Sequence, residues 1–257
     1  MNLSLYERLA KLQGDEPWGA VLDAGTGPAS LRWLRTLSTS RWTAVTASQQ
    51  MAKKLADGSE GGAAPDGLVV GNWLDPQLLA GETFDTVIAD YLLGAIEGFA
   101  PYWQHQLFDR LRPLVGKRLY LIGLEPYVTH VPEDAAGKLV CEIGRLRDAC
   151  LLLAGDRPYR EYPLGWVLDH LTQADFRILG AERVPIRYGE RFITSQLDMC
   201  YRAVGKFTDR GLAVAFLKRI SGLSQQAMAF VEREGGLRHG YDYIVVAEPG
   251  SRVLSNV

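Results

Sequence analysis

The stretch Val21–Ser30, VLDAGTGPAS, constrains this chain more than any other. Two apolar residues lead into an acid, Asp23. Gly25 and Gly27 follow with only Thr26 between them, and Pro28 opens an apolar run with helical spacing, Leu31, Leu34 and Leu37. That order predicts a strand, a tight glycine turn and the N-terminus of a helix. Glycine permits positive φ and close backbone approach, and proline suits a first helical turn, where no N–H is needed. A bulky ligand can lie against such bare main chain at the positive end of a helix.

Up to the fifth strand the chain alternates strands with helices. An amphipathic helix over Leu3–Leu12, with Leu5, Leu9 and Leu12 on one stripe, ends at Gly14. Strands are expected at Gly19–Asp23, Trp42–Ala47, Leu68–Val70, Thr83–Ala89 and Arg118–Leu124. Helices are expected at Gln49–Ala56 and Tyr102–Leu111, and the Gly-, Asp- and Pro-rich stretch Asp57–Gly67 reads as a surface loop. This alternation is the pattern of a doubly wound parallel sheet. Ligands of such sheets bind outside the carboxyl ends of the strands, which puts Asp23, Thr46, Asn72, Asp90, Glu125 and Tyr127 on one rim.

Beyond strand five the pattern changes. Residues 133–154 carry a helical apolar stripe and read as an insertion. A polar, aromatic turn, Arg157–Pro163, leads to a helix at Leu164–Ala174 and a sixth strand at about Arg177–Ile186. Residues 191–238 are helical again, and Tyr241–Ala247 closes the pattern as a strand. No internal repeat or linker separates a second domain, so residues 1–257 read as a single domain with two helical additions.

Composition narrows the function. A net charge of −2 argues against a protein that grips a phosphate backbone by electrostatics. No apolar stretch approaches the roughly 20 residues of a membrane span, and no basic–apolar signal segment is present, so a cytoplasmic location is expected. The three cysteines fall in no zinc-binding spacing, and Cys141 and Cys150, nine apart, turn to opposite faces of one helix. Reduced thiols and no metal are expected.

With these elements placed, the chain resembles the class I S-adenosylmethionine-dependent methyltransferase family from Gly19 to Ala247, outside the two helical additions. The resemblance rests on VLDAGTG, on the seven-strand plan and on the closing antiparallel hairpin. It implies a Rossmann-like, doubly wound, mostly parallel seven-stranded α/β sheet with an antiparallel last strand. A nicotinamide fingerprint would place a third glycine where Ser30 stands. Carried over position by position, the resemblance implies S-adenosyl-L-methionine as cofactor. Asp23 would hydrogen-bond the methionine ammonium, directly or through water, and Ala24, Gly25 and Gly27 would form the turn under it. Thr46 and Ala47 stand where the family places a ribose-binding acid, a departure, because one hydroxyl does not match a carboxylate's two acceptors. Asn72 would accept from the adenine amino group and Trp73 would stack on the ring. Asp90 and Tyr91 mark where methyl donor and acceptor meet. Asp90-Tyr91-Leu92 is not the signature of amino-methylating nucleic-acid enzymes, which disfavours DNA or RNA as partner.

The acceptor side follows from the topology. Segment 191–238 leaves and returns on the cofactor rim and reads as a lid. It carries eight cations against four anions, a net of +4 in a chain of −2, which points to an anionic or carboxylate-bearing acceptor. Glu125, Tyr127, Tyr159, Arg187 and Tyr241 are candidate acceptor-binding residues. His239, Glu161 and His130 are candidate bases, needed only if the acceptor must lose a proton. The expected activity is methyl transfer to an oxygen or nitrogen of a small molecule. The alternatives are a protein side-chain methyltransferase and a non-catalytic cofactor-binding scaffold.

Overall fold

The computed structural model describes residues 3–57 and 67–251. Strands β1 (Ala20–Asp23), β2 (Arg41–Thr46), β3 (Leu68–Val70), β4 (Phe84–Asp90), β5 (Val115–Leu124), β6 (Phe176–Tyr188) and β7 (Leu237–Pro249) form one seven-stranded sheet, ordered β3-β2-β1-β4-β5-β7-β6, with β7 antiparallel. The pairs β1–β2, β1–β4, β2–β3 and β4–β5 are all parallel, with Leu22 opposite Thr43 on one side and Val87 on the other. Strand order reverses at β1, so the glycine turn after β1 sits at the switch point, where open α/β sheets leave a crevice.

Among the helices, α1 (Leu5–Gln13) is started by a capping box of Ser4 and Glu7. The next two are α2 (Pro28–Leu34), which begins at Pro28 as expected, and α3 (Gln49–Asp57). Of the stretch read as a surface loop, residues 58–66 lie outside the described residues. The helix expected at Tyr102–Leu111 is shorter: 3₁₀ turns precede α5 (Leu107–Leu111), because Tyr102 takes a left-handed φ of 63° that no helix accommodates. A four-residue helix without a periodic signal of its own, α4 (Leu92–Ala95), follows β4 directly.

The first helical addition is α6 (Ala135–Leu153), capped by the Asp134 side chain on the Gly137 N–H at 2.7 Å. Then come α7 (Leu164–Gln173) and β6. Segment 191–238 is not one helix. It divides into α8 (Glu190–Val204) and α9 (Arg210–Glu234), broken after Gly205 and restarted by Asp209, whose carboxylate caps the Leu212 N–H at 2.9 Å. Gly235, in the left-handed conformation, ends α9. Both β5 and β7 are longer than their apolar cores suggested.

The described residues form two compact units. Unit one comprises the described residues of 3–124, 162–182 and 243–251; unit two comprises Glu125–Glu161 and Arg183–Asp242. In unit one a core of Leu22, Val45, Phe84, Val87, Leu107 and Leu121 fills the space between sheet and helices. Each large apolar side chain buried there contributes about 1.5–3 kcal/mol. Ahead of the turn, Gly19 has φ +61°, and a Cβ on it would fall 2.2 Å from Asp85 Oδ2. That carboxylate accepts the Ala20 N–H at 2.8 Å and pairs with Lys117, which holds its pKa below the usual range. Only glycine serves at that position.

In unit two, α6, α8 and α9 bury Val140, Ile143, Leu146, Ile193, Leu197 and Leu223. Cys141 and Cys150, on opposite faces of α6, are both buried with Cys200, and all three are free thiols. So α6 is covered on more than one side. No helix among the described residues is long and apolar enough to cross a membrane.

Candidate functional site

The glycine turn is built against neighbouring strands. The Ala24 N–H donates to Ile88 O and the Thr26 N–H to Val45 O, each at 2.8 Å. Neither Gly25 nor Gly27 takes a positive φ, contrary to the conformational argument made from the sequence. The two glycines differ in what surrounds them. A Cβ on Gly25 would crowd Leu92 at 3.0 Å, whereas one on Gly27, φ −136°, would meet nothing within 4 Å. No neighbouring protein atom and no backbone torsion demands glycine at 27, and the space beside its main chain is open. Ser30, at the position of a third glycine, braces the same turn, since its Oγ accepts the Gly27 N–H at 2.9 Å.

Asp23 is 1% exposed, and neither carboxylate oxygen has a hydrogen-bond partner of normal geometry. Burial pushes its pKa up to about 6; the nearby Thr26 and Ser30 hydroxyls and the Gly25 N–H oppose that shift, and the charge of Asp90 adds to it. Direct contact between Asp23 and a ligand ammonium is therefore closed in this conformation.

Asp90, at the carboxyl end of β4, is only partly buried and accepts a hydrogen bond from Tyr6 Oη at 2.7 Å. Burial raises its pKa too, against that hydrogen bond. Tyr6 stacks on Trp33 with centroids 4.8 Å apart, and burial, then Asp90, push its phenol upward. Sequence reasoning missed Tyr6. It lies off the Leu5–Leu9–Leu12 stripe, and nothing in a one-dimensional pattern brings α1 to the end of β4. Tyr91 follows in a left-handed conformation, φ 49°, unusual for a bulky residue and found where backbone is held for function. Its N–H donates to Ile122 O at 3.0 Å.

Two expected contacts are placed otherwise. Trp73 is 3% exposed within the core, and its Nε1–H donates to Ala24 O at 2.8 Å. It braces the turn from beneath and presents no face to a ring. Asn72 accepts the Leu74 N–H at 3.0 Å and donates to Phe99 O at 2.9 Å, the pattern of a turn residue. Thr46 is buried, and its hydroxyl accepts the Ser48 N–H at 3.2 Å; Ala47 is partly exposed beside it.

The candidate bases and acceptor residues all belong to unit two. His239 packs on α6, its Nε2 3.4 Å from Cys141 Sγ, and burial lowers its pKa. Its charged neighbours are Asp134 and His130; the His130 side chain is exposed. Glu161 belongs to a different group, with Arg147 and Asp242 as charged neighbours, and burial pushes its carboxyl up to about 7. Tyr127 is buried with its hydroxyl 3.3 Å from Arg147 Nη1. Glu125 accepts from Arg183 Nε at 2.8 Å, Arg187 donates to Glu234 O at 2.8 Å, and Tyr159 and Tyr241 are exposed. Arg187 also lines a cavity of about 340 Å³ with Phe230 and Arg238. Arg147 carried no sequence signal, since one arginine on an amphipathic helix reads as solvated surface.

A sheet of this order, with an antiparallel last strand and a glycine turn after β1, is the Rossmann-like fold of class I S-adenosylmethionine-dependent methyltransferases. Solved structures agree. A Bacillus halodurans C-125 protein taken to be a methyltransferase superposes with a TM-score of 0.61 at 14% identity, over 97% of this chain and 100% of that one. The magnesium protoporphyrin IX methyltransferase of Synechocystis PCC 6803, with S-adenosylhomocysteine bound, gives 0.50 at 15% identity over 95% and 82%. The [4+2]-cyclase SpnF gives 0.53 at 16% identity over 96% and 80%. Identities this low carry the fold alone. No protein-family model and no curated protein matches the sequence.

Proposed function

We propose that the chain is an S-adenosylmethionine-dependent methyltransferase that moves a methyl group to an oxygen or nitrogen of a small-molecule acceptor. One observation carries the reading. Beside a turn whose Gly27 leaves room for a ligand, Asp23 and Asp90 stand with no cationic partner among the described residues. S-adenosylmethionine is a cation, bearing an ammonium and a sulfonium. The S-adenosylhomocysteine bound to the Synechocystis neighbour supports the same cofactor.

When bound, the cofactor supplies a methyl group on a positively charged sulfur. The chain's own residues do the rest. Gly25 and Gly27 offer main chain, Asp23 a fixed negative field, and Asp90 with Tyr91 the end of the strand nearest the transfer. In this reading Thr46 and Ala47 serve the ribose end, while Asn72 spends its amide on the Leu74 N–H and Phe99 O. Alignment and water exclusion supply most of the rate in a displacement of this kind. Tyr127, Tyr159, Tyr241, Arg187 and Glu125 are the acceptor residues in this reading. Of the three candidate bases Glu161 is best matched, because its pKa near 7 lets it take a proton at neutral pH.

Calorimetric titration of the full chain with S-adenosylmethionine and S-adenosylhomocysteine tests the reading. Both should bind, and Asp23→Asn should weaken the sulfonium form by at least ten-fold. Absence of binding by either sinks it. The scaffold reading has its own observation, the inward Thr46 that leaves the ribose end without a carboxylate. Binding without turnover across hydroxyl and amine acceptors would favour it.

A further inference from the structure

The cavity of about 340 Å³ lies wholly within unit two. Its walls are the first turn of α6 (Ala136), the end of β6 (Arg187), the C-terminal end of α9 with the turn after it (Phe230, Glu234 and Gly236) and the start of β7 (Arg238). Arg187 is fixed in place by that turn. Its Nη2 donates to Glu234 O at 2.8 Å. Gly235 and Gly236 follow with φ of +73° and +143°, and a Cβ on Gly236 would fall 2.8 Å from Arg187 Cγ and 3.0 Å from Nε. Two glycines in succession thus let the arginine lie against bare main chain, at torsions other residues rarely adopt. Its rotamer freedom is lost on folding, before any ligand arrives, which is the condition for a preorganised contact.

The charges lining the cavity do not cancel one another. Glu234 is the only carboxylate among the described lining residues, and Arg233, outside the lining, donates from Nε to Glu234 Oε1 at 2.8 Å. Arg187 donates to a main-chain oxygen, which also covers the negative end of α9. The Arg238 side chain has no hydrogen-bond, ion-pair or ring partner among the described residues. Two guanidinium groups therefore border the cavity without an anion of their own. Ala136 adds the positive end of α6, whose Asp134 cap is already engaged by the Gly137 N–H at 2.7 Å. Phe230, half-buried, supplies an apolar wall beside the charges.

We propose that this cavity is a binding site for a small organic anion, a carboxylate on a one-ring hydrocarbon body, with the carboxylate on Arg187 and Arg238 and the ring against Phe230. A guanidinium edge matches a planar carboxylate through two parallel N–H···O bonds. A cation would meet two arginines and the positive end of a helix, and a bare inorganic anion would leave the aromatic wall unused. The volume is near the lower end for ligand pockets and suits a single ring. The site stands on unit two alone and goes beyond the methyl-transfer reading without depending on it.

The probes are 3-phenylpropionate, its neutral amide 3-phenylpropionamide and inorganic phosphate, each titrated calorimetrically into the full chain. The carboxylate should bind tighter than either of the others by about ten-fold or more. Arg238→Gln changes an exposed residue and strands no partner, so the melting temperature should hold while the carboxylate weakens by about ten-fold. Gly236→Ala keeps both arginines but drives a Cβ into Arg187, and should weaken the carboxylate as much. If that variant does not fold, Arg187→Lys, which keeps the charge and loses the two-bond edge, should weaken it by several-fold. Phe230→Ala should erase most of the preference over phosphate. Equal affinity for the amide or for phosphate, no binding of the carboxylate, or an affinity indifferent to Arg238→Gln overturns the proposal. Carboxylate binding lost with Arg238→Gln supports it, whether or not the chain binds S-adenosylmethionine.

Discussion

The two units treat buried carboxylates in opposite ways. Around the glycine turn of unit one, Asp23 and Asp90 are crowded into protein with no cationic partner among the described residues, and burial raises their proton affinities. In unit two a cation is built in, but Asp148 and Gln196 consume most of the donors of Arg147 and leave Glu161 over. Asp85, in unit one, shows the ordinary case: Lys117 and a backbone N–H satisfy it, and its pKa falls. A satisfied acid stabilises a fold. An unsatisfied one costs stability and implies a partner of opposite sign.

Removing the built-in cation should have the largest effect. Arg147→Met strands Asp148, Glu161 and Gln196 in a crowded setting and should destabilise the protein by about 3–5 kcal/mol in urea unfolding. A loss under about 1 kcal/mol, the range of exposed pairs, would mean the cluster is solvated, and the contrast with unit one would weaken.

Asp23→Asn should do the reverse in the ligand-free protein. The folded pKa of about 6 lies above the unfolded value near 4, so the acid's contribution is fully present below pH 4 and is lost as pH rises through 6. The variant should match wild type at low pH and exceed it by about 3 kcal/mol at pH 7.5. Thermal melts of both proteins across pH check this, and a gap independent of pH would refute the cause assigned.

Glu161→Gln should show a similar but smaller gain, on the order of 1–2 kcal/mol, because Glu161 retains some surface. It should develop between pH 5 and 8, as stability held by the protonated acid is lost through about 7. Smallest of all, Tyr6→Phe removes one hydrogen bond to Asp90 and should cost about 1 kcal/mol. It should also weaken S-adenosylmethionine binding by no more than a few-fold, since the phenol only orients Asp90. A loss as large as that from Asp23→Asn would make Tyr6 a direct contact.

Much of the architecture was legible one residue at a time. VLDAGTGPAS predicted strand, turn and helix from an apolar pair and a first-turn proline, although neither Gly25 nor Gly27 uses the positive φ that glycine permits. The stripes of α6 and α7 predicted helices within two residues of their ends. The split of 191–238 at Gly205–Asp209 was written in a glycine and a capping aspartate, though periodicity alone ran through it. Tyr102 defeated the same reasoning, because left-handed backbone at a tyrosine has no local signal.

The sites divide along the same line. The sequence alone determined the glycine turn, the acid before it and the alternation of strands with helices, because local torsions and hydrophobic periods act within a few residues. Only the tertiary structure decided that Trp73 faces inward, that Tyr6 reaches Asp90, and that Arg147 turns from Glu161 toward Asp148 and Gln196. Those outcomes depend on which residues from distant segments compete for the same buried donors, and no one-dimensional pattern records that competition.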